Sequence, residues 1–451
     1  MPKLFIHALG CKTNHYESQA LAQQLSRHNF SLVSRVEEAD VGILNTCTVT
    51  AEASRKSRQY LRRMKRKNPK IFLVAMGCYA QLEDISSACD LAIGTSRRGS
   101  ILGLIATELD KRQANHDFNI ELPDDLRALN QDNFDLSQSS LGQASRETEY
   151  EELGIVSDQI DTRAQIKIQD GCNAFCSFCA IPLARGRLRS RSRKNIIKEA
   201  EMLAQKGHKE VVLTGIHICS FEKEQGRNSD ALAELCLELN RIKGLARIRL
   251  GSLEPLSISK SFIQILRQAD KVCPHFHLSL QSGSDTVLRR MRRRYLTEQY
   301  RRRVQFLREV YDEPAISTDL MVGFPEETDQ EFQESLDFVK EMELSRVHVF
   351  PYSVRPGTLA AQMTQVPAQV IKDRAETMLV LADKLAEKYA CKFIGKKQEV
   401  LFEDEEGGCK RGYTDRYVRV YADKLDIQTG EIKELLIIGQ EKGDLRGQIV
   451  C

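Results

Sequence analysis

The sequence predicts an α/β protein in three parts: an N-terminal doubly wound α/β domain, a central partial (β/α)6 barrel and a C-terminal small β-barrel. Apolar runs alternate with helical patterns in the first part, and the same alternation repeats about every thirty to forty residues in the second. Short strands separated by glycine-rich turns fill the third. We place the domains at residues 1–110, 161–390 and 391–451, with a polar linker at 111–160.

Size and composition narrow the class of protein. The chain has 451 residues, 41% hydrophobic and 29% charged, which is typical of a globular protein with two or three cores. It contains no apolar run long enough for a membrane span, and its first apolar stretch is too short for a signal peptide. Thirteen cysteines indicate metal or redox chemistry in a reducing compartment rather than disulfides. We therefore expect a cytoplasmic protein that does not contact membranes.

In the first part of the chain, three apolar runs each lead to a cysteine. The runs are 4–9, 41–44 and 71–76, and the cysteines are Cys11, Cys47 and Cys78. Parallel strands present their carboxyl ends at one edge of a sheet, so the three thiols should lie together there. Each could be a small buried hydrophobic residue, which is the common role of a free cysteine. Their equivalent positions favour a ligand cluster.

A second set of cysteines follows a short strand near Ile166. Cys172, Cys176 and Cys179 have Cys-x3-Cys-x2-Cys spacing, so three thiolates within eight residues can reach one metal centre. Structural zinc normally takes four ligands from two cysteine pairs, and the sequence has no second pair here. A [4Fe–4S] cluster bound by three cysteines leaves one iron with an open coordination position. We expect the cluster, with zinc or unliganded thiols as the alternatives.

This triad, with Phe178 before its last cysteine, resembles the radical S-adenosylmethionine (SAM) superfamily. In that superfamily the open iron chelates SAM. An electron from the cluster then cleaves SAM to a 5′-deoxyadenosyl radical, which abstracts hydrogen from an unreactive C–H bond. The resemblance implies that Cys172, Cys176 and Cys179 are catalytic metal ligands and that Phe178 lies at the cofactor site.

The barrel strands are predicted at Ile166 and at 210–214, 247–250, 275–280, 316–322 and 346–350. Functional groups of such barrels lie at the carboxyl ends of the strands. The resemblance implies that Gly215, Glu254, Gln281 and Ser282, which follow these strands, bind SAM. Glycine and serine in these positions are also simple turn residues.

Histidines also occur in this part of the chain. For His217, His275 and His277 we expect packing or hydrogen-bonding roles, because radical chemistry needs no acid or base from them.

The segment Gly10–Ser18, with Cys47 and Cys78 in their local contexts, resembles the N-terminal domain of the methylthiotransferases, a radical SAM family with two clusters. In that family the open iron of the second cluster holds the sulfur to be transferred, which gives Cys11, Cys47 and Cys78 catalytic and metal-binding roles. The pattern Cys-Lys-x-Asn-x-Tyr-Glu from Cys11 is similar to the branch that modifies N6-threonylcarbamoyladenosine in tRNA. Thr13 and His15 occupy the x positions where valine and glutamine are expected.

Basic residues are clustered rather than spread. The predicted helix from Ala53 carries eight of them with few acidic partners, which favours contacts to phosphates. Five arginines alternate after the triad, and an extended strand would place them on one face, suited to an anionic substrate. They are Arg185, Arg187, Arg189, Arg191 and Arg193. A second set, Arg289, Arg290, Arg292, Arg293 and Arg294, follows the Gln281 loop.

The C-terminal part resembles the TRAM domain, an RNA-binding module of tRNA-modifying enzymes, through the segment Gly412–Tyr417. Alternation from Tyr417 places Tyr417, Arg419 and Tyr421 on one face of a strand. Aromatic rings beside a cation suit stacking on RNA bases, whereas the alternative is an ordinary solvated strand face.

Together the resemblances imply transfer of a methylthio group to adenine C2 of N6-threonylcarbamoyladenosine at position 37 of tRNA. Two SAM molecules are used, one to methylate the sulfur and one to generate the radical. The implied partners are the anticodon stem-loop, an electron donor and a sulfur donor, for a monomeric enzyme. The alternatives are methylthiolation of N6-isopentenyladenosine or of a ribosomal-protein aspartate, and a non-catalytic RNA-binding protein stabilised by metal.

Overall fold

The computed structural model describes residues 1–96, 98–114, 148–423 and 427–449. Residues 115–147 of the predicted polar linker lie outside the described residues.

The first part of the chain forms a parallel sheet with helices on both faces. Its elements are β1 (Lys3–Ala8), α1 (Lys12–Arg27), β2 (Ser31–Leu32), β3 (Val41–Thr46), α2 (Ala51–Lys67), β4 (Phe72–Gly77), α3 (Cys78–Leu82), β5 (Leu91–Ile93) and α4 (Ile101–Ala114). The strand order is β2-β1-β3-β4-β5. Strands β3 and β4 are buried along their whole length because helices cover both faces, which explains their continuous apolar sequences.

The second part contains six parallel strands, each followed by a helix. Its elements are β6 (Arg163–Asp170), α5 (Ile181–Arg185), β7 (Arg189–Ser190), α6 (Arg193–Gln205), β8 (Glu210–Gly215), α7 (Asp230–Asn240), β9 (Arg247–Leu250), β10 (Ser252–Leu253), α8 (Lys260–Leu266), β11 (His275–Leu278), α9 (Asp285–Arg290), α10 (Thr297–Val310), β12 (Ala315–Val322), α11 (Asp329–Met342), β13 (Arg346–Pro351) and α12 (Ala368–Cys391).

Two four-stranded sheets, β7-β6-β8-β9 and β10-β11-β12-β13, form this second part. They meet at a parallel bridge between Ile248 and Val272, so the six principal strands form one incomplete barrel. Apolar side chains between the strands and the surrounding helices make its core. Helix α11 shows how sequence sets a boundary: the Thr328 hydroxyl accepts a hydrogen bond from Glu331 N (3.3 Å), and the Glu331 carboxylate accepts one from Thr328 N (2.9 Å).

The third part is a closed five-stranded barrel in the order β14-β15-β16-β18-β17. Its strands are β14 (Lys397–Glu406), β15 (Cys409–Thr414), β16 (Arg419–Asp423), β17 (Ile432–Glu441) and β18 (Asp444–Ile449). The predicted fold class is confirmed in all three parts. Strand β15 was not predicted, because its sequence, CKRGYT, has no alternating apolar pattern.

Candidate functional site

The three N-terminal cysteines lie at the carboxyl edge of the first sheet, at the ends of neighbouring strands. Cys11 immediately precedes α1, Cys47 follows β3, and Cys78 begins α3 directly after β4. Gly10 has a φ of +95°, and a Cβ atom added there would lie 2.5 Å from the Cys47 sulfur. Only glycine allows the first loop to approach Cys47 this closely.

Asn14 and Arg185 fix the surroundings of this triad. The Asn14 amide donates hydrogen bonds to Leu9 O (2.9 Å) and Thr46 O (3.0 Å), which ties together the loops that carry Cys11 and Cys47. Nε of Arg185, from the central barrel, donates to the Cys78 sulfur at 3.2 Å. Burial raises the pKa of the Cys78 thiol to about 12, and the Arg185 charge opposes that shift.

The second triad occupies the loop between β6 and α5, and its three thiols are half-buried. Nη1 of Arg293 donates to the Cys176 sulfur at 3.3 Å, and Nε of the same side chain donates to the Tyr295 hydroxyl at 3.0 Å. Burial raises the pKa of Cys179 to about 12. Each triad therefore has its own arginine in contact with one of its sulfurs: Arg185 at the first and Arg293 at the second. In that position an arginine would stabilise a thiolate.

The donor sets fit iron–sulfur clusters better than single ions. In the described ranges, no three His, Cys, Asp or Glu side chains are close enough to hold one metal ion. A four-iron cluster sets a different requirement, because each cysteine binds a separate iron atom. The arginine beside each triad also suits the negative charge of metal-bound thiolates. Both triads therefore fit a cluster.

A cavity of about 300 Å³ lies against the second triad. Cys172, Cys176, Glu254 and Arg293 are among its lining residues, so the structure brings Glu254 to the predicted cofactor site. His217 also lines this cavity, and its Nδ1 lies 2.7 Å from the Ser220 hydroxyl. Burial lowers the pKa of His217 to about 4, so the ring is neutral at pH 7.

The other predicted SAM contacts are placed differently. Gly215 lines a second, larger cavity, and Phe178 packs edge-on against Phe324 with 6.5 Å between ring centroids. Gln281 is half-buried and adopts a φ of +70°. Ser282 is fully buried, with its hydroxyl 3.2 Å from that of Ser335 in α11. Its side chain has no exposed surface in this structure, and the SAM contact expected for Ser282 stays a prediction.

The larger cavity measures about 1120 Å³ and occupies the lumen of the barrel. Residues from all three parts of the chain line it: Gly10–Thr13 from the first, strand residues such as His275 and His277 from the second, and Arg416–Arg419 from the third. His275 and His277 lie 3.2 and 3.0 Å from the Ser317 hydroxyl, which agrees with the predicted hydrogen-bonding roles. The cavity connects the Cys11 end of the first triad to the barrel interior.

The alternating arginines after the second triad do not form the predicted substrate-binding face. Arg185 ends α5, Arg193 begins α6, and both are engaged in ion pairs, as are Arg189 and Arg191. Only Arg187 of the five is exposed. The prediction was wrong because it assumed one continuous extended strand, whereas β7 contains two residues.

Arg185 belongs to a buried ion-pair network between the first and second parts of the chain. The network contains the carboxylates of Glu17 and Asp170, both at most 1% exposed, and that of Glu151, which is partly exposed and pairs with Arg98. Its cations are Arg98, Lys167, Arg185 and Arg189, all at most 2% exposed. Among the described residues, four cations thus face three carboxylates, and Arg185 lies against Cys78. The Arg185 charge would stabilise a metal-bound thiolate at Cys78.

The predicted aromatic face of the third part is correct only for Arg419 and Tyr421. Nη1 of Arg419 donates to the Tyr421 hydroxyl at 3.3 Å. Tyr417 precedes β16 with a φ of +62°, lines the large cavity and stacks on Tyr413 with 4.9 Å between centroids. The guanidinium of Arg249 lies 4.9 Å from the Tyr417 ring centroid.

Arg249 was missed as a residue of the barrel interior. In the predicted strand Arg247–Leu250, both arginines alternate with apolar residues, and this pattern could have placed them on the inner face. Nε of Arg249 donates to Glu210 at 2.6 Å inside the barrel.

The basic helix α2 is partly neutralised. Arg55 and Lys67 pair with Glu52 and Glu37, both at 2.6 Å, so acidic partners are more common than predicted. Within the described ranges, Arg62, Arg63 and Arg66 have no hydrogen-bonded or ion-paired partner, and all three are exposed. They remain available to phosphates.

Comparison with known proteins adds the following. The "Radical SAM superfamily" profile matches residues 166–339, and that of "Uncharacterized protein family UPF0004" matches 3–91. Threonylcarbamoyladenosine tRNA methylthiotransferase MtaB of Bacillus subtilis is 37% identical over 97% of this chain and 94% of its own. tRNA-2-methylthio-N(6)-dimethylallyladenosine synthase of Thermodesulfovibrio yellowstonii is 30% identical over 99% of this chain and 98% of its own.

Among solved structures, the radical SAM methyltransferase TsrM of Kitasatospora setae superposes with a TM-score of 0.58 at 14% identity, over 80% of this chain and 77% of its own. This likeness concerns the fold alone. In the described part of the chain, no helix has the length and apolar character needed to cross a membrane.

Proposed function

The chain belongs to the methylthiotransferase family of radical SAM enzymes, and on this basis we propose that it transfers a methylthio group to adenine C2 of N6-threonylcarbamoyladenosine at position 37 of tRNA. The observation that carries the proposal is the near full-length identity of 37% to an enzyme named for that nucleoside. The 1120 Å³ cavity, which runs from Cys11 into the barrel, is large enough for a modified nucleoside.

The family implies SAM and a [4Fe–4S] cluster as cofactors. We assign that cluster to Cys172, Cys176 and Cys179, where it would supply the electron that cleaves SAM. Glu254 and Arg293 line the adjoining 300 Å³ cavity with opposite charges, so they complement the ammonium and carboxylate groups of the methionine part of SAM. Gly215 lines the larger cavity, and its contact with SAM stays a prediction.

We further propose a second [4Fe–4S] cluster at Cys11, Cys47 and Cys78, which carries the sulfur to be transferred. Gly10 allows the loops to converge, and Arg185 contributes a hydrogen bond to Cys78. Hydrogen bonds to a cluster sulfur tune its reduction potential, which gives Arg185 a positioning role.

The proposed partners follow from the reaction. The anticodon stem-loop of tRNA is the substrate, an electron donor reduces the cluster, and a sulfur donor restores the transferred atom. We propose a monomer that works in the cytoplasm, where its tRNA is found. The exposed cations of α2 and the pair Arg419–Tyr421 would contact the RNA.

The dimethylallyl branch is the second candidate, because a synthase of that branch is 30% identical. Mass spectrometry of tRNA nucleosides from a deletion strain distinguishes the two. Loss of the methylthio-threonylcarbamoyl nucleoside supports the proposal. Loss of the methylthio-dimethylallyl nucleoside overturns it, and loss of neither favours the ribosomal-protein or non-catalytic alternative.

Replacing Cys172, Cys176 and Cys179 together with alanine should halve the bound iron. Anaerobically purified wild type should contain about eight irons and the variant about four, because one cluster of the four-iron type is lost. Iron and sulfide analysis with electron paramagnetic resonance measures this. A fall from about four irons to none would remove the second cluster from the proposal.

Replacing Arg62 and Arg66 of α2 with glutamine should weaken the binding of tRNAs of different sequence by the same factor. The slope of log K against log salt concentration should become shallower by about 1.5, because two phosphate contacts are lost. Filter binding at several salt concentrations measures the slope. The control is the Arg301→Gln/Arg302→Gln variant in α10, whose arginines pair with Glu298; an equal change there would contradict an RNA contact through α2.

A further inference from the structure

Lys12 is a cation inside the barrel lumen that has no hydrogen-bonded or ion-paired partner among the described residues. It follows Cys11, begins α1, and lines the 1120 Å³ cavity with its side chain exposed to that space. It makes no hydrogen bond or ion pair with any residue that the structure describes. Its four methylene groups carry the ammonium away from Cys11 and into the lumen.

The charged groups around Lys12 are already satisfied by one another. Glu210 accepts hydrogen bonds from Arg249 at 2.6 and 3.2 Å, and Arg163 is paired with Glu403. Elsewhere on the cavity wall, Asp319 lies 3.2 Å from His277 Nε2. None of these carboxylates forms an ion pair with Lys12, so its ammonium has no ion-paired partner among the described residues.

Two other cavity-lining cations also make no ion pair within the described ranges. Arg346, at the start of β13, lies within electrostatic reach of Asp444, and Lys442 lies between β17 and β18 in the third part of the chain. Asp444 in turn lies 3.3 Å from Arg419. Of these cavity-lining cations, Lys12 is the one that directly follows a cysteine of the predicted sulfur-carrying triad, to which C2 of the substrate base must come.

We propose that Lys12 binds the carboxylate of the N6-threonylcarbamoyl group and thereby selects adenosines with an anionic N6 substituent. This inference rests on the proposed function. With C2 at the Cys11 end of the cavity, the N6 substituent extends into the lumen, in the direction of the Lys12 side chain. An uncharged N6 substituent would leave the ammonium desolvated and unpaired, so the same residue favours one nucleoside and disfavours the other.

The test is equilibrium binding of two anticodon stem-loops to anaerobically purified holoenzyme. They are identical except that one carries N6-threonylcarbamoyladenosine at position 37 and the other its methyl ester. Wild type should bind the acid about tenfold to a hundredfold more tightly, as expected for one charge-assisted hydrogen bond. Lys12→Met should bind both equally, more weakly than wild type binds the acid and at least as tightly as wild type binds the ester, and Lys12→Arg should keep most of the preference.

The control variant is Lys384→Met, which changes an exposed lysine of α12 outside the cavity and should keep the full preference. The preference is the ratio of the two dissociation constants. A disturbance of the neighbouring cluster site would weaken the binding of both stem-loops equally and would leave this ratio unchanged. If Lys12→Met still prefers the acid, the inference fails while the proposed function stands. If wild type does not convert the acid stem-loop to its methylthio product, the proposed function fails and the inference fails with it.

Discussion

Replacing Cys176 with alanine is expected to reduce both SAM cleavage and methylthio transfer to the background of the assay. The variant keeps Cys172 and Cys179, but two thiolates cannot replace the three ligands of a cluster with one open iron. Arg293 also loses its sulfur acceptor, 3.3 Å away in the wild type. Release of 5′-deoxyadenosine, measured by chromatography, and the methylthio nucleoside, measured by mass spectrometry, report the two steps separately.

Two further variants test whether the loss of activity is specific to the second triad. Cys391→Ala changes an exposed cysteine at the end of α12 and should keep full activity. Cys47→Ala should still cleave SAM but form no methylthio nucleoside, because it removes a ligand of the proposed sulfur-carrying cluster only. Full turnover by Cys176→Ala would contradict the assignment of the radical site to this triad.

The elements that carry the two triads could be predicted from local sequence. Strand β4 was predicted at 71–76 and lies at Phe72–Gly77, because a buried parallel strand is a continuous apolar run that needs no distant information. The same holds for Cys47 and Cys78, which directly follow such runs. Fold class and triad placement therefore followed from periodicity and from the cysteines at strand ends.

The environment of the triads could not be predicted in the same way. Arg185 was assigned to a substrate surface, yet its carboxylate partner Glu17 lies 168 residues earlier in the chain. Pro182 near the start of α5 favours a helical turn, which breaks the alternation of the arginines. Tyr417 does not lie on its predicted face, because its own backbone has a positive φ and is not part of the extended strand. Ion pairs between domains depend on packing that local patterns do not encode.

The buried network that joins the first sheet to the barrel should be sensitive to a single substitution, Glu17→Gln. Glu17 is fully buried and accepts hydrogen bonds from Lys167 and Arg185, both at 2.7 Å, and it also pairs with Arg98. These cations hold the pKa of Glu17 well below its usual range despite its burial. Glutamine has nearly the same shape but no charge, so Arg98, Lys167 and Arg185 lose a shared buried counter-ion.

The expected cost of Glu17→Gln is about 3–5 kcal/mol in the free energy of local opening, because breaking a buried pair leaves an uncompensated charge. Amide hydrogen exchange in α1 and β6 should therefore accelerate between about a hundredfold and a few thousandfold. Glu52→Gln is the matched control, since its pair with Arg55 is solvent-exposed and screened, so its loss should leave the exchange rates nearly unchanged. Equal exchange rates in the two variants would show that the domains are held together by apolar packing rather than by this network. A faster rate in Glu17→Gln alone would show that the ion pairs that position Arg185 against Cys78 also join the first sheet to the barrel.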